Sequence, residues 1–181
     1  HLGLRQRSGE TIVIDFSAPN IAKPMLIHHM RSTLIGDALQ RVFRAVGVRV
    51  IADNHLGDWG TQFGKLIVAY RRWLDREAYA RDAIGELVRI YVLFAVEEKK
   101  QAAALGLGGK DHRGQAAEGA EGDDEDDAPQ AVTPLLAEAR AELVKLQKGD
   151  PENLAQWREF VEVSMRTFEK SYQRLGVTFD V

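Results

Sequence analysis

The first clear pattern along the chain is the β-branched apolar run Thr11-Ile12-Val13-Ile14-Asp15-Phe16, closed by the turn-forming cluster Ser17-Ala18-Pro19-Asn20. It predicts a buried strand. A polar helix start follows, and then Met30, Leu34, Ile35, Ala38, Leu39, Val42, Phe43 and Val46 repeat at helical spacing. Gly47 is placed to end that helix, and Val48-Arg49-Val50-Ile51-Ala52 begins a second strand. Strand, helix and strand in close succession predict a right-handed βαβ unit with parallel strands. A turn at Gly57-Asp58-Trp59-Gly60 then leads into a helix from about Gln62 to Trp73.

The second half reads as helical. Ile84, Leu87, Tyr91 and Phe94 form one stripe; Leu135, Leu136, Ala139, Leu143 and Leu146 form another. After the start signal Asp150-Pro151-Glu152, a third runs through Trp157, Phe160, Val161, Phe168, Tyr172 and Leu175. Residues 106–130 are rich in Gly, Ala and Asp. Their few large apolar side chains cannot offset the entropy of ordering, which predicts a disordered surface loop. Residues 176–181, Gly176-Val177-Thr178-Phe179-Asp180-Val181, read as the start of a third strand. So thin a sheet implies further strands beyond Val181. The organisation expected is a βαβ half over residues 1–80, a helical insertion over 81–175 with its acidic loop at 106–130, and the next strand from 176 to 181.

Composition changes this picture in three places. There is no cysteine, which excludes disulfides and thiolate metal sites and fits a reducing cytoplasm. The opening His1-Leu2-Gly3-Leu4-Arg5-Gln6-Arg7 has no signal-peptide core, no membrane-length apolar stretch follows, and a first residue other than Met points to an excerpted chain. The net charge of −3 conceals an asymmetry: residues 106–130 hold two basic and eight acidic residues, leaving 22 basic against 19 acidic elsewhere. That body of net +3 is compatible with a nucleic-acid partner and equally with an ordinary mixed surface.

In an open parallel sheet, ligands gather at the carboxyl ends of the strands, where helix N-termini aim N–H groups at anions. Two segments occupy that edge, Asp15 to Thr33 and Asn54 to Gly64. Asp15 is either a carboxylate directed at a cationic ligand or a cap for the following loop. Asn20 orients a polar ligand or closes an Asx turn, the commoner case. Lys23 neutralises phosphate or is solvated surface. His28 and His29 have the chemistry to bind a transferring phosphoryl group. Adjacent helical positions cannot face one point and no cysteine or acidic cluster completes a site, so no protein-bound metal is expected. Gly57-Asp58-Trp59-Gly60 is a substrate loop or simply a tight turn packing its tryptophan.

Taken together the two segments are specific. Ser17-Ala18-Pro19-Asn20-Ile21-Ala22-Lys23-Pro24, then Met30-Arg31-Ser32-Thr33, then Asn54-His55-Leu56-Gly57-Asp58-Trp59-Gly60-Thr61-Gln62-Phe63-Gly64 resemble the arginyl-tRNA synthetase family in order and separation. Phe168 to Asp180 is similar to the segment that this family places before its next catalytic strand. The resemblance implies an α/β fold: the Rossmann-like parallel sheet of class I aminoacyl-tRNA synthetases, present in part, with a helical insertion. It implies a cytoplasmic, monomeric parent ligase of protein biosynthesis. That enzyme condenses ATP, carried with Mg2+, and L-arginine to arginyl-adenylate and passes the arginyl group to tRNA, with no membrane partner. Carried over by residue, Asp15 would face the arginine guanidinium, and Asn20 with the Ser17–Ala18 backbone would hold its α-amino group. Asn54 and Gln62 would shape the arginine pocket. Lys23 and His29 would act on the ATP phosphates as the catalytic pair, with His28, Gly57 and Asp58 also at the nucleotide.

The resemblance has defects. The family's His-x-Gly-His signature would place histidine at position 26 and glycine at position 28; the chain has Leu26 and His28. Leu26 cannot donate to phosphate, a loss of about 10²–10³ in rate, and the His28 ring fills space that a glycine leaves to adenine. Ala18 stands for a frequent serine and Lys65 for an apolar residue. The lysine-rich loop of the class is not in the sequence. The polypeptide by itself is therefore not expected to catalyse aminoacylation. A non-catalytic synthetase-like module that binds arginine, tRNA or a protein partner is the alternative. An unrelated nucleotidyl transferase is disfavoured by the run from Gly57 to Gly64.

Overall fold

The computed structural model describes residues 9–57, 60–107 and 132–181. The elements run β1 (Thr11–Asp15), α1 (Ile27–Ala45), β2 (Arg49–Asp53), α2 (Thr61–Trp73), α3 (Arg76–Arg81), α4 (Ala83–Ala104), α5 (Pro134–Gln147) and α6 (Pro151–Leu175). The chain divides into two compact units, His1–Asp58 with Arg158–Val181, and Trp59–Trp157. Nearly all of the expected acidic loop, from residue 108 onward, lies outside the described residues.

The first unit holds the βαβ element. β1 and β2 pair in parallel, with Thr11 opposite Arg49 and Asp15 opposite Asp53. Between them α1 ends as its sequence predicts. Gly47 takes φ 86°, and the Gly47 and Val48 amides donate back to the Arg44 and Phe43 carbonyls at 3.1 Å each, satisfying the last turn. Residues 176–181 form no strand, in contrast to the expectation, but they are tied to β2. Val181 N–H donates to the Ala52 carbonyl and Asn54 N–H to the Val181 carbonyl, each at 3.2 Å. The Asp180 carboxylate accepts from Ala52 N–H at 2.8 Å and from Arg44 at 2.7 Å. A small core of Phe16, Ala52 and Val177, with Ile14, Leu175 and Phe179 against it, closes this side.

Two expectations about burial fail in this unit. β1 is not a buried strand: its side chains alternate between exposed and half-buried, and Val13 is 63% exposed. On α1 the apolar stripe faces outward, with Leu34, Ile35, Leu39 and Val42 between 46% and 60% exposed. The inward face is His29, Thr33, Gly36, Asp37 and Gln40. Close packing against Phe16 explains the glycine on that face, since a Cβ on Gly36 would lie 2.1 Å from Phe16 Cγ. Gln40 donates to Asp37 at 2.8 Å and to the Thr178 carbonyl at 3.2 Å, and Arg41 pairs with Asp37 at 2.7 Å, while Gln40 Oε1 is buried without a partner. Helical periodicity locates apolar residues on one stripe; which stripe is covered depends on what the rest of the fold sets against it.

The second unit buries its stripes as expected. Phe63, Leu66 and Ile67 of α2 lie in the core with Ile84, Leu87, Ile90 and Phe94 of α4, and Leu135, Ala139 and Leu146 of α5. Trp73 meets Phe94 edge-on at 6.4 Å. Lys65, placed where an apolar residue is usual, pairs with Glu98 of α4 at 3.7 Å. Three of its helices start on a side-chain cap, Asp75 for α3, Asp82 for α4 and Thr133 for α5, while α2 begins at Gly60 without one. Asp150 accepts from Asn153 N–H at 3.1 Å at the start of α6. No helix of the described residues is long and apolar enough to cross a membrane.

Two buried glutamates lock this unit. Arg89 binds Glu86 through two nitrogens at 2.6 Å, and these hydrogen bonds hold the carboxyl below its ordinary range against the effect of burial. Burial acting alone would raise the Glu142 carboxyl. Hydrogen bonds from Lys145 and Asn153, with the charge and hydrogen bond of Arg71, together bring it below the usual value. A carboxyl with a depressed folded pKa contributes stability above its unfolded value, and that contribution is lost as pH falls through the folded one. The urea midpoint of this unit should therefore hold steady from about pH 8 to 5 and decline below about pH 4.5. Glu142→Gln should shrink that acid decline; an unchanged pH profile would contradict the assignment.

Candidate functional site

The chain leaves β1 at Asp15 and turns sharply to reach the end of β2. Ser17, Ala18 and Ala22 have φ of 77°, 46° and 61°. For L-residues other than glycine this left-handed backbone costs about 1–2 kcal/mol each, so several net contributions of about 0.5–1.5 kcal/mol per hydrogen bond must act together to hold it.

Those bonds are present. Ser17 N–H donates to Ser32 Oγ at 3.3 Å, Ala18 N–H to Asn54 Oδ1 at 3.1 Å, and Ala22 N–H to Ser164 Oγ at 2.8 Å. Beyond Ala18, the two motif segments zip together through a parallel bridge of Asn20 and Gly57. Ile21 N–H donates to the Gly57 carbonyl at 3.1 Å, and Gly57 N–H to the Pro19 carbonyl at 3.3 Å. A Cβ on Gly57 would sit 2.1 Å from Asn20 Oδ1, so this position admits only glycine while the Asn20 amide lies across it.

A chain of hydroxyls backs the loop. Ser17 Oγ lies 2.9 Å from the Tyr172 hydroxyl and 2.7 Å from Thr33 Oγ1, and Asn54 Nδ2 donates to Tyr172 at 3.1 Å. Thr33 Oγ1 also lies 2.7 Å from the His29 carbonyl. Thr33 is the donor toward both Ser17 Oγ and the His29 carbonyl, so its one proton is shared between two acceptors, while Ser17 and Tyr172 can each donate to the other. Burial pushes the Tyr172 phenol above its ordinary value, partly offset by its bonds to Ser17 and Asn54.

Asp15 is exposed at the carboxyl end of β1, and its Oδ1 accepts from His55 N–H at 3.3 Å. Of the two readings open for this side chain, the capping contact is realised while the carboxylate stays accessible. Past the loop, Lys23 is half-buried and leads to the start of α1. There Leu26 takes the N-cap position with no acceptor to offer. His29 Nδ1 accepts from Leu26 N–H at 3.1 Å instead, which leaves the proton of the neutral ring on Nε2. The His28 ring stacks on that of His29 with centroids 3.9 Å apart. The first-turn N–H groups of α1 receive no side-chain cap and keep the positive end of the helix free for an anion.

Of the sequence-predicted positions, Asp15, Ser17, Asn20, Asn54 and Gly57 thus come together at one mouth, with Lys23, His28 and His29 following along the same loop and helix start. Ser17 and Asn54 have their side-chain polar atoms engaged within the protein. Gln62 lies in the first turn of α2, in the second unit, and Asp58 is outside the described residues. Sequence reasoning missed Ser32, Thr33, Ser164 and Tyr172. Thr33, Ser164 and Tyr172 are buried and Ser32 is exposed, and helical spacing gives no sign of a polar partner far along the chain. Among the described residues, no group of three or more His, Cys, Asp or Glu side chains is placed to hold a metal ion.

The fold is that of part of a class I synthetase catalytic domain. The family model for class I tRNA synthetases (R), catalytic domain, matches residues 1–180, and the chain belongs to that family. Arginine–tRNA ligase of Fusobacterium nucleatum is 45% identical over 169 residues, 93% of this chain and 24% of that protein. Arginine–tRNA ligase of Clostridium botulinum (strain Loch Maree) is 42% identical over 172 residues, 95% of this chain and 25% of that protein. The crystal structure of arginyl-tRNA synthetase from Plasmodium falciparum is similar over 96% of this chain and 24% of its own, with a TM-score of 0.57 and 27% identity. The chain therefore spans about a quarter of the length of these relatives.

The zipped mouth makes a specific demand. Gly57→Ala should turn the Asn20 amide aside while the backbone bridge holds, since Asn20 Cα would lie 3.6 Å from the new methyl. The Asn20 side-chain amide resonances should shift while amide exchange at Ile21 stays level with β2 amides; unmoved Asn20 side-chain resonances would contradict the packing described.

Proposed function

We propose that this chain forms the arginine- and ATP-binding edge of a cytoplasmic arginine–tRNA ligase. The observation that carries the reading is one accessible carboxylate, Asp15, held beside the zipped Asn20–Gly57 pair and followed by an uncapped helix start bearing His29. A guanidinium is a planar cation suited to a carboxylate, and a triphosphate is suited to a free helix N-terminus.

In this reading Asp15 takes the guanidinium, and Asn20 with the Ser17–Ala18 backbone takes the α-amino group. The arginine carboxylate then attacks the α-phosphorus of ATP, and pyrophosphate leaves as arginyl-adenylate forms. Lys23 and His29, through its Nε2 proton, stabilise charge on the phosphates, with His28, Gly57 and Asp58 at the nucleotide. The adenylate then passes its arginyl group to tRNA. Asn54 serves the pocket by fixing Ala18, and Gln62 is assigned to the same substrate by motif. In this scheme Mg2+ enters with ATP as its companion.

A second reading has its own support. Leu26 offers no donor at the helix start, and His28 lies stacked against His29 where the family has glycine. These features favour a module that binds arginine, tRNA or a protein partner without binding ATP. Calorimetry separates the two. Leu26→His with His28→Gly should raise ATP affinity of the chain at least about tenfold, or about 1.4 kcal/mol. No gain would mean that Leu26 and His28 are not what weakens the nucleotide site; in the unaltered chain, arginine binding without ATP binding favours the module, and tight ATP binding removes its rationale.

The primary reading is tested at Asp15 with a variant that spares the loop. Asp15→Asn keeps an oxygen to accept from His55 N–H but removes the charge. The affinity for L-arginine should fall by about 1.5–3 kcal/mol, roughly 10- to 150-fold, with stability retained. Unchanged affinity would reduce Asp15 to a cap and remove the guanidinium site.

A further inference from the structure

The buried face of α6 repeats every fourth residue: Phe160, Ser164, Phe168 and Tyr172. Two of these are polar, eight residues apart, and both reach the loop after β1. Ser164 is fully buried. Its hydroxyl donates to the Phe160 carbonyl at 2.7 Å and accepts from Ala22 N–H at 2.8 Å. Tyr172 meets Ser17 directly at 2.9 Å and receives the Asn54 amide that fixes Ala18.

The three left-handed residues of the loop are thus each gripped from α6: Ala22 by Ser164, Ser17 by Tyr172, and Ala18 by Tyr172 acting through Asn54. Ser17 is held on its other side as well, since its Oγ accepts from Thr33, whose hydroxyl also reaches the carbonyl of His29.

We infer that Ser164 and Tyr172 are positioning residues for the ligand mouth. They contact no substrate, and they hold Ser17, Ala18 and Ala22 in the one backbone conformation that presents Asn20 and the Ser17–Ala18 peptide to an amino acid. The role in arginine binding rests on the function proposed above; the hold on the loop does not.

Tyr172→Phe removes one oxygen and keeps the edge-on ring contact with Phe179, whose centroid lies 4.9 Å away. Ser164→Ala removes the other oxygen. Phe179→Leu serves as the control, since it loosens the same core and leaves every hydroxyl in place. In the 181-residue chain, amide exchange at Ala18 should rise at least about tenfold in Tyr172→Phe. Exchange at Ala22 should rise equally in Ser164→Ala. Both changes are read against β2 amides, and Phe179→Leu should move loop and β2 amides together. Affinity for L-arginine should fall about tenfold or more in both hydroxyl variants and follow only global stability in the control. Loop exchange that stays level with β2 in both hydroxyl variants would overturn the inference, as would loosened loops that bind arginine as tightly as before. If the unaltered chain binds no arginine, the proposed function fails, and the exchange pattern alone still decides the hold of α6 on the loop.

Discussion

The chain can turn from β1 toward the end of β2 only through left-handed backbone at Ser17, Ala18 and Ala22, and side-chained residues keep that backbone only under several simultaneous constraints. Most of the first unit can be understood as supplying them. β2 ends where Asn54 reaches Ala18, α1 carries Ser32 and Thr33 at the height of Ser17, and α6 returns with Ser164 and Tyr172. Strain of this kind is retained where geometry has to be fixed before a ligand arrives. The groups it presents are an accessible carboxylate and an amide lying over Gly57, the pair to which the proposed function assigns a charged amino acid.

The helix that follows is built for two tasks on two faces. Its inward side is polar, with Gly36 where Phe16 packs close, and its outward side carries Leu34, Ile35, Leu39 and Val42. Its first turn is capped in reverse, by His29 accepting from Leu26, so the ring that the family motif assigns to phosphate is oriented by backbone before any nucleotide is present. In the second unit, charge performs the comparable work. Glu86 and Glu142 are buried carboxylates made tolerable by Arg89 in one case and by Lys145, Asn153 and Arg71 in the other.

Much of this was legible from local pattern. The βαβ order, the helix ends at Gly47 and Asp150-Pro151, and the stripes of α4, α5 and α6 follow from spacing and turn chemistry. The motif residues from Asp15 to Asn20 and from Asn54 to Gly57 do converge. What could not be read depends on distant chain. The exposure of Val13 and Leu34 is set by which face of β1 and α1 meets other elements, and periodicity is blind to that. Tyr172 reads as one more apolar position of a stripe until its hydroxyl is seen against Ser17, 155 residues earlier. Ser164 leaves even less trace, since a lone serine on a helix is commonplace. The left-handed angles at two alanines run against propensity and could not be anticipated from residue type.

The account stands or falls on whether the loop between β1 and α1 is where an amino acid docks. Nuclear magnetic resonance titration of the chain with L-arginine reads this directly. The amides of Ala18, Asn20, Ile21, His55 and Gly57 should shift together on one saturable curve, while those of α4 and α5 stay in place. Saturable shifts confined to other residues, or none in that loop at saturating arginine, would contradict it.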